Sequence, residues 1–273
     1  METEKLQEIA NKLRLEAVRM VYEAKDGHPG PALSIADIVA ALYFDIMNID
    51  PKIPDKEDRD RFILSKGHAC PVWYAALNER GYFEPRVEHF NLRQLHSIFQ
   101  GHPSMKNTPG IDMTTGSLGN GIPIGAGMAK AAKVRGQDFY TYVICGDGEL
   151  QEGVCWEGIN IANGQQLDNL IVFVDKNNWQ SYRTITETVG HNSPETQFSA
   201  FGWHVQEICG HDIDAIKSAV ASAKKTKGRP SCIVCSCIKG KGVSFMENNN
   251  DWHKNVPTDE QYAVAVKELG GAL

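Results

Sequence analysis

The sequence lacks the features of a membrane, secreted or nucleic-acid-binding protein. None of its apolar runs approaches the length of a membrane span, and the N-terminal stretch METEKLQEIANKLRLEAV is charged and amphipathic, without the apolar core of a signal peptide. The net charge of −6 provides no basic excess to attract nucleic acid or an anionic membrane surface. We therefore expect a cytoplasmic protein whose partners include neither nucleic acid nor membrane.

Cysteine is also scarce, and its count argues against a disulfide framework. The seven cysteines are an odd number in a chain of 273 residues, which favours reduced thiols. Three of them lie in the stretch SCIVCSCI and raise the alternative of a zinc site. Strand alternation puts Cys235 and Cys237 on one face and Cys232 on the other, so small buried side chains are the favoured interpretation.

Internal repeats and low-complexity segments are absent, and the length suits one large α/β domain or two small ones. We predict a single domain over residues 1–273. Ser34 is expected to cap the helix that follows it, residues 81–100 to be irregularly helical, and residues 181–198 to form a loop. The predicted strands are 61–64, 142–145, 170–174, 203–208 and 231–238, and the predicted helices are 4–25, 35–47, 70–80, 122–134, 212–226 and 259–270.

One βαβ unit, within residues 140–180, organises the rest of the chain. Its first strand ends at Gly146-Asp147-Gly148 and its second at Asp175-Lys176-Asn177-Asn178. Ligands of open parallel sheets bind just beyond the carboxyl ends of the strands. A carboxylate and an amide oxygen delivered there suit Mg²⁺, and the flanking glycines let a phosphate approach the backbone. This pattern predicts a site for a metal and a phosphate, although the triplet alone is also found in plain turns.

The spacing adds a family resemblance to this unit. Asn177-Asn178 begins 30 residues after Asp147, which resembles the thiamine-diphosphate motif, and the longer string GDGELQEG…WEG…DNLIVFVDKNN resembles the transketolase version of it. The resemblance implies a doubly wound α/β fold, with a mostly parallel sheet and helices on both faces. It also implies that Asp147, Asn177 and the Trp179 carbonyl hold Mg²⁺, with Ca²⁺ or Mn²⁺ able to substitute.

Four histidine motifs extend the resemblance over nearly the whole chain: GHPG at His28, SKGHA at His68, GHP at His102 and FMENN…WH at His253. Taken alone, a loop histidine such as His28 is usually solvated, and SKGHA could be a helix-capping turn. The family places His28 over the reacting carbon and His68 near the diphosphate. It places His102 by the thiamine ring, and His253 in contact with diphosphate and substrate.

The glycine-rich loop GSLGNG, residues 116–121, could alone be a dinucleotide fingerprint, but it does not follow an apolar strand. By resemblance, the Gly116 backbone and the Leu118 side chain contact the cofactor, and Gly148 lies on the diphosphate. The same pattern assigns Glu152 to a carboxylate relay across the subunit interface. These residues complete the set of site positions that the sequence offers.

The implied activity is that of a transketolase, which moves a two-carbon ketol unit from a ketose to an aldose with thiamine diphosphate. Histidines near their neutral pKa suit the proton transfers of such a reaction. A full-length transketolase continues with a pyrimidine-binding and a C-terminal domain. We therefore expect a split enzyme, inactive alone, whose partner is a C-terminal transketolase subunit in an α₂β₂ heterotetramer. Where the family usually has Asp-Gly, this chain has Ser181-Tyr182-Arg183, which puts the usual pentose phosphates in doubt.

Three alternatives remain open from sequence. Another thiamine-diphosphate enzyme, such as a 2-oxoacid dehydrogenase E1 subunit or a deoxyxylulose phosphate synthase, shares the GDG…N signal but not the histidine motifs in this order. A non-catalytic regulatory subunit with the same fold would be expected to lose several of those histidines. A Rossmann dehydrogenase is the weakest alternative, because no strand leads into a GxGxxG loop.

Overall fold

A parallel sheet runs through the centre of the computed structural model, which describes residues 1–271. Its strands are β1 (Arg61–Leu64), β2 (Thr141–Gly146), β3 (Leu170–Lys176), β4 (His204–Cys209) and β5 (Ser231–Ser236). They lie in the order β1-β2-β3-β5-β4, and every neighbouring pair is parallel. All the strands therefore end at the same edge of the sheet.

Helices cover both faces of this sheet. They are α1 (Thr3–Ala24), α2 (Pro29–Leu33), α3 (Ala36–Ala41), α4 (Cys70–Arg80), α5 (Gly121–Arg135), α6 (Gly153–Gly164), α7 (Ile185–Val189), α8 (Pro194–Ala200), α9 (Ile213–Lys225) and α10 (Asp259–Glu268). Short 3₁₀ turns span Gly67–Ala69, Gly148–Gln151 and Asn250–His253. Among residues 1–271, no helix combines the length and apolarity needed to cross a membrane.

Alternation along the strands divides the interior into two cores. Tyr142 and Ile144 of β2 pack with α1, α3, α4 and α9, whereas Val143 and Cys145 pack with α5, α6 and α8. Because both of their faces are buried, β1, β2, β3 and β5 are mostly apolar, as in other parallel sheets, whereas the edge strand β4 is polar and partly exposed. The predicted doubly wound α/β fold is confirmed.

The cysteine-rich strand follows the same alternation. Cys232 lies in the core with α5 and α6, and Cys235 and Cys237 lie in the opposite core. Burial raises the pKa of all three thiols. The sheet itself separates Cys232 from the other two, which leaves no common point for a metal.

Residues 81–100 are not helical, contrary to the sequence prediction. They form a series of turns in which Asn91, Arg93 and His96 have left-handed backbone φ angles of 48°, 62° and 65°. The apolar residues that suggested a helix serve as separate anchors, with Phe90 and Phe99 buried in the core at 3 % and 4 % exposure. A periodic pattern cannot distinguish such anchors from one face of a helix.

Three further local features differ from prediction. Ser34 does not cap the next helix, because it ends α2 and its hydroxyl donates to Pro31 O and to Asp175 Oδ2, at 3.1 and 2.6 Å. The predicted helix 35–47 is α3 followed by a π-helical stretch, Leu42–Ile46. The predicted loop 181–198 contains α7 and most of α8, and α7 begins with a capping box that Thr184 and Glu187 form.

Candidate active site

The carboxyl ends of β2 and β3 open into a cleft of about 530 Å³. Asp147 follows β2 and Asn177 follows β3, and both line this cleft with Gly148 and Trp179. The two strands pair in register from Thr141 with Leu170 onward, which brings their ends side by side. The strand pairing therefore assembles residues that lie 30 positions apart in the chain.

Asp147 is a buried carboxylate whose donors are all neutral. It is 3 % exposed and accepts hydrogen bonds from Asn178 N (2.7 Å), Asn192 Nδ2 (2.9 Å) and Gly148 N (3.0 Å). Burial, and then the neighbouring Asp175 carboxylate, raises the pKa of Asp147 to about 7. A bound cation would offset both effects, so the environment of Asp147 fits a metal ligand.

The orientation of the Asn177 amide is fixed by the Asp175 carboxylate, which is paired with Lys66. Its Nδ2 donates to Asp175 Oδ2 at 2.9 Å, and Asp175 also accepts from Ser34 Oγ and forms a buried ion pair with Lys66. Burial raises the pKa of Asp175, but the Lys66 ammonium and the hydrogen bonds from Lys66, Ser34 and Asn177 together hold that pKa below its usual range. The amide nitrogen of Asn177 is thereby turned toward Asp175, and its Oδ1, which accepts from Trp179 N at 3.0 Å, keeps a second lone pair for a ligand.

The ligand set suits a hard cation. Within residues 1–271, no three His, Cys, Asp or Glu side chains are grouped as a metal site. The cleft offers instead the Asp147 carboxylate, the Asn177 amide oxygen and backbone carbonyls, because the Glu149 carboxylate that also lines it is occupied by Gly119 N, Gly146 N and the Ser65 hydroxyl. Mg²⁺ prefers such oxygen donors and usually completes its shell with water or substrate phosphate.

Three histidines from distant loops meet on the other side of the cleft. The ring centroids of His28 and His68 lie 5.2 Å apart, those of His28 and His253 5.5 Å, and those of His68 and His253 5.4 Å. His68 and His253 line the cleft itself. Burial, assisted by nearby cations, lowers the pKa of His28 to about 4 and that of His253 to about 3, and it lowers that of His68 well below its usual value. All three are therefore neutral at pH 7.

Close backbone packing brings these loops together. A Cβ on Gly30 of the GHPG motif would lie 2.7 Å from the carbonyl oxygen of Trp252, the residue before His253. A Cβ on Gly67, which precedes His68, would lie 2.7 Å from Thr115 Oγ1. Glycine at these two positions is therefore what lets the histidine loops approach each other.

The remaining predicted site residues lie at the rim or outside the cleft. Leu118 lines the cleft and is 37 % exposed. His102 is exposed, with its ring against Gly116, where a Cβ would lie 3.0 Å from it. Glu152 is exposed at the start of α6 and is not among the residues that line the cleft.

Comparison with known proteins identifies the family to which this fold belongs. Residues 5–272 match the family model described as the thiamine diphosphate binding domain of transketolase. The chain belongs to the transketolase family. It is 43 % identical over 265 residues to the 6-deoxy-6-sulfo-D-fructose transketolase subunit of a Clostridium species, with coverage of 97 % of this chain and 96 % of that one.

Other transketolases give the same result. Over 269 residues the chain is 41 % identical to an apulose-4-phosphate transketolase subunit of Phocaeicola vulgatus, with coverage of 98 % of this chain and 94 % of the relative. The crystal structure of Campylobacter jejuni transketolase superposes with a TM-score of 0.92 at 34 % identity. That match covers 99 % of this chain but 43 % of the other. The predicted assignment to an N-terminal transketolase subunit, which belongs to an enzyme of the ketol-transferring class, is confirmed.

Sequence analysis of this transketolase subunit missed two buried lysines. Lys66 donates to Pro31 O at 2.8 Å and pairs with Asp175, and Lys239 is 1 % exposed. Burial, and then the charge of Lys66, lowers the pKa of Lys239 to about 8. The available signal was a lysine directly after an apolar strand and before a glycine, in SKGHA and IKGKG.

A buried glutamate was missed as well. Glu149 is 4 % exposed and accepts from Gly119 N at 2.8 Å, from Gly146 N at 3.1 Å and from the Ser65 hydroxyl. It therefore ties the glycine-rich loop to the ends of β1 and β2. Nothing in the string GDGELQEG distinguishes this buried carboxylate from the exposed Glu152 three residues later.

Proposed function

We propose that this subunit holds thiamine diphosphate and Mg²⁺ in the cleft and transfers a two-carbon ketol unit from a ketose to an aldose when joined to a second subunit. The main support for this proposal is that the two sides of the cleft offer different charge environments to a ligand. Asp147 is buried among neutral donors and needs a cation, whereas buried lysines and neutral histidines on the other side provide positive charge and hydrogen bonds. A magnesium diphosphate complements both sides at once.

The metal would be held by Asp147, by Asn177 Oδ1 and by the Trp179 carbonyl, with Ca²⁺ or Mn²⁺ able to replace Mg²⁺. The diphosphate would lie against Gly148 and within reach of His68 and His253. These residues all line the cleft. Lys239 and Lys66 supply a positive potential there, since both are buried close to the strand ends.

At the open end of the cleft, the Gly116 backbone and the Leu118 side chain would contact the rings of the cofactor. Thiamine diphosphate, when bound, supplies the electron sink for breaking a carbon–carbon bond beside a carbonyl. His28, His102 and His253 would bind the sugar oxygens and move protons. Neutral imidazoles suit this work because each has one donor and one acceptor nitrogen.

The relatives also support a partner. Two apulose-4-phosphate transketolase relatives are named as one subunit of their enzyme, which implies a further subunit. We propose that the partner is a C-terminal transketolase subunit, that the assembly is an α₂β₂ heterotetramer, and that the exposed Glu152 joins a carboxylate relay at the interface between subunits. An exposed carboxylate beside the tightly packed Gly119 is well placed for such a contact.

The sugar would be a ketose with an anionic end. The relatives are named for apulose 4-phosphate and for 6-deoxy-6-sulfo-D-fructose, which carry a phosphate and a sulfonate. In this chain Ser181 lines the cleft, and beside it lies Tyr182, 93 % exposed at the rim. We propose that the Ser181-Tyr182-Arg183 segment contributes to the choice of sugar.

Reconstitution tests this proposal. The chain is mixed with the C-terminal subunit encoded beside it, and two-carbon transfer from phosphorylated and sulfonated ketoses is measured with Mg²⁺ and thiamine diphosphate, against each of the two polypeptides by itself. Transfer only in the mixture supports the proposal. Cofactor binding without transfer from any ketose would favour a regulatory role without catalysis, and turnover by the isolated chain would overturn the split-enzyme part.

A further inference from the structure

Two of the three clustered histidines present the same ring nitrogen to a cation. His253 Nδ1 lies 3.0 Å from Lys239 Nζ, and His28 Nδ1 lies 3.4 Å from Arg93 Nη2. The two cations come from different parts of the chain, one after β5 and one from the irregular segment 81–100. Both cations contact Nδ1 and leave Nε2 free for another partner.

The chemistry of these donors fixes the form of each ring. A guanidinium and an ammonium have N–H donors and no acceptor. The nitrogen that they contact must therefore be the unprotonated one, and a neutral imidazole with an acceptor at Nδ1 carries its proton on Nε2. The Nε2 of His253 lies 3.4 Å from Ser181 Oγ, an oxygen able to accept that proton in a hydrogen bond.

The ammonium of Lys239 cannot turn away from His253 Nδ1 without losing a hydrogen bond. Its three N–H donors have three acceptors: Gln180 O at 3.2 Å, Asn250 Oδ1 at 2.9 Å and His253 Nδ1 at 3.0 Å. The side chain is 1 % exposed, so water does not compete for these donors. Releasing His253 would leave a buried ammonium with an unpaired donor, which is costly.

Arg93 is held less completely, because its contact is longer and its buried Nε has no hydrogen-bond partner among the described residues, but packing still fixes its place. Its backbone is left-handed with φ 62°, and its N–H donates to Phe99 O at 2.9 Å. The guanidinium lies over Gly101, where a Cβ would be 2.4 Å from Cζ, and its Nη1 reaches Asp26 Oδ2 at 3.3 Å. The glycine of the second GHP motif therefore makes room for the cation that faces His28.

We propose that Arg93 and Lys239 are positioning residues that fix His28 and His253 as neutral imidazoles with the proton on Nε2. Both histidines then present an N–H donor to the sugar and cannot take up a proton at Nδ1. The consequence for catalysis rests on the proposed function, whereas the state of the rings does not.

The charges around the rings agree with this assignment. Burial and then Arg93 lower the pKa of His28, and burial and then Lys239 lower that of His253. Asp26 alone among the groups acting on His28 raises its pKa. The charged and titratable groups facing His28 are Arg93, Lys254, His102, Asp26, His68 and His253, and those facing His253 are Lys239, His28, Lys66 and His68.

The direct test is ¹⁵N NMR of the full chain labelled at histidine. Two-bond ¹⁵N–¹H correlations distinguish the Nε2–H form, the Nδ1–H form and imidazolium, and single His28→Asn and His253→Asn variants assign the two signals. We expect both rings in the Nε2–H form from pH 6 to 7, where Lys239, with its pKa of about 8, is still an ammonium. A mixture of the two neutral forms, or an Nδ1–H form, in either ring would overturn the proposal.

Variants at Arg93 separate hydrogen bonding from charge. In Arg93→Met we expect His28 to show both neutral forms and its pKa to rise toward 6.5. Lys254→Met is the matched control, because Lys254 also approaches Asp26, at 3.5 Å, and its loss removes the same charge near His28. Its His28 signal should keep the Nε2–H pattern, and a mixed pattern there would assign the effect to charge alone and overturn the role of Arg93.

Kinetics of the assembled enzyme test the consequence of the Arg93 contact for catalysis. Arg93→Met should lower kcat/KM for the ketose about 10- to 100-fold, the range for a mispositioned catalytic group, while the Kd of thiamine diphosphate stays within about twofold. Arg93→Lys, which keeps the cation, should recover part of the loss. Equal losses in cofactor and sugar binding would contradict a positioning role. If no ketose is turned over by the wild type, the proposed function fails, while the NMR result still decides the state of the rings.

Discussion

The two sides of the cleft shift the pKa values of their buried ionisable groups in opposite directions. On the strand side, at the ends of β2 and β3, burial and a second carboxylate raise the pKa of Asp147 to about 7. On the loop side, burial and cations lower the pKa of His28 to about 4 and that of His253 to about 3. One side therefore holds a carboxylate without a countercharge, and the other holds imidazoles that stay neutral.

This difference shows which groups of the site have their charge and hydrogen-bond partners before a ligand binds. On the loop side Lys239 is satisfied internally, because it meets three acceptors and faces His253 directly. On the strand side Asp147 is not, because its donors are all neutral. Substitution of Asp147 should therefore not lower the stability of the apo chain, whereas substitutions that disturb the loops should lower it. For cofactor affinity we expect the reverse, with the larger loss from substitution of Asp147.

The largest effect is expected from Asp147→Asn. Loss of an outer-shell partner alone typically lowers metal affinity about 10- to 100-fold, and we expect loss of a metal ligand to exceed that range. Calorimetric titration of the two-subunit enzyme with thiamine diphosphate and Mg²⁺ should show affinity lowered more than about 100-fold, with the thermal unfolding of the apo chain not lowered. Asp58→Asn, at an exposed position, is the control. Unchanged Mg²⁺-dependent affinity in Asp147→Asn would place the metal elsewhere.

The strand side was predictable from sequence because its geometry follows from one rule. Parallel strands end at one edge, so an Asp after one apolar run and an Asn after the next must meet there. Asp147 and Asn177 lie together as that rule requires, and Trp179, which the family resemblance added, lines the same cleft. The fold class followed from the same alternation of strands and helices.

The loop side was less predictable because its contacts join distant segments. The histidine motifs could be recognised, but the cations that face them could not: Lys239 lies 14 residues from His253 and Arg93 lies 65 residues from His28. Arg93 also lies in the segment wrongly predicted to be helical. The apolar spacing there reflects separate anchors such as Phe90 and Phe99, which no local periodicity can reveal.

The next effect concerns the ion pair behind the strand side. Lys66→Met leaves Asp175 buried at 0 % exposure without its cation. Removing one partner of a buried pair typically costs about 3–5 kcal/mol, which chemical denaturation of the isolated chain would measure. Lys133→Met breaks the exposed pair with Asp168 and should cost less than about 1 kcal/mol. Adding Asp175→Asn to Lys66→Met should recover part of the loss, and equal effects of the two lysine variants would contradict this account.

A smaller effect is expected where the histidine loops pack together. Gly30→Ala places a Cβ 2.7 Å from the carbonyl oxygen of Trp252 and must push the His253 turn away. Forced repacking of this kind typically costs about 1–3 kcal/mol. Gly127→Ala is the matched control, because a Cβ there meets no atom within 4 Å and alanine favours the helix by about 1 kcal/mol. Denaturation midpoints that move in the same direction for both variants would contradict the packing argument.

The smallest effect is a pH dependence to which the two sides of the cleft contribute with opposite signs. The pKa of His28 is about 4 in the folded chain and 6.5 without the fold, so the unfolded chain binds more protons between these values. His28 should therefore make the apo chain less stable as the pH drops from about 6.5 toward about 4, whereas Asp147, with its pKa raised to about 7, acts in the opposite direction over that range. His28→Asn should remove the destabilising part of this dependence. His191→Asn, at an exposed histidine outside the cleft, should leave it unchanged. Thermal unfolding followed across this pH range measures the slope, and identical slopes in His28→Asn and the wild type would show that the ring is not protonated on unfolding as the loop-side account requires.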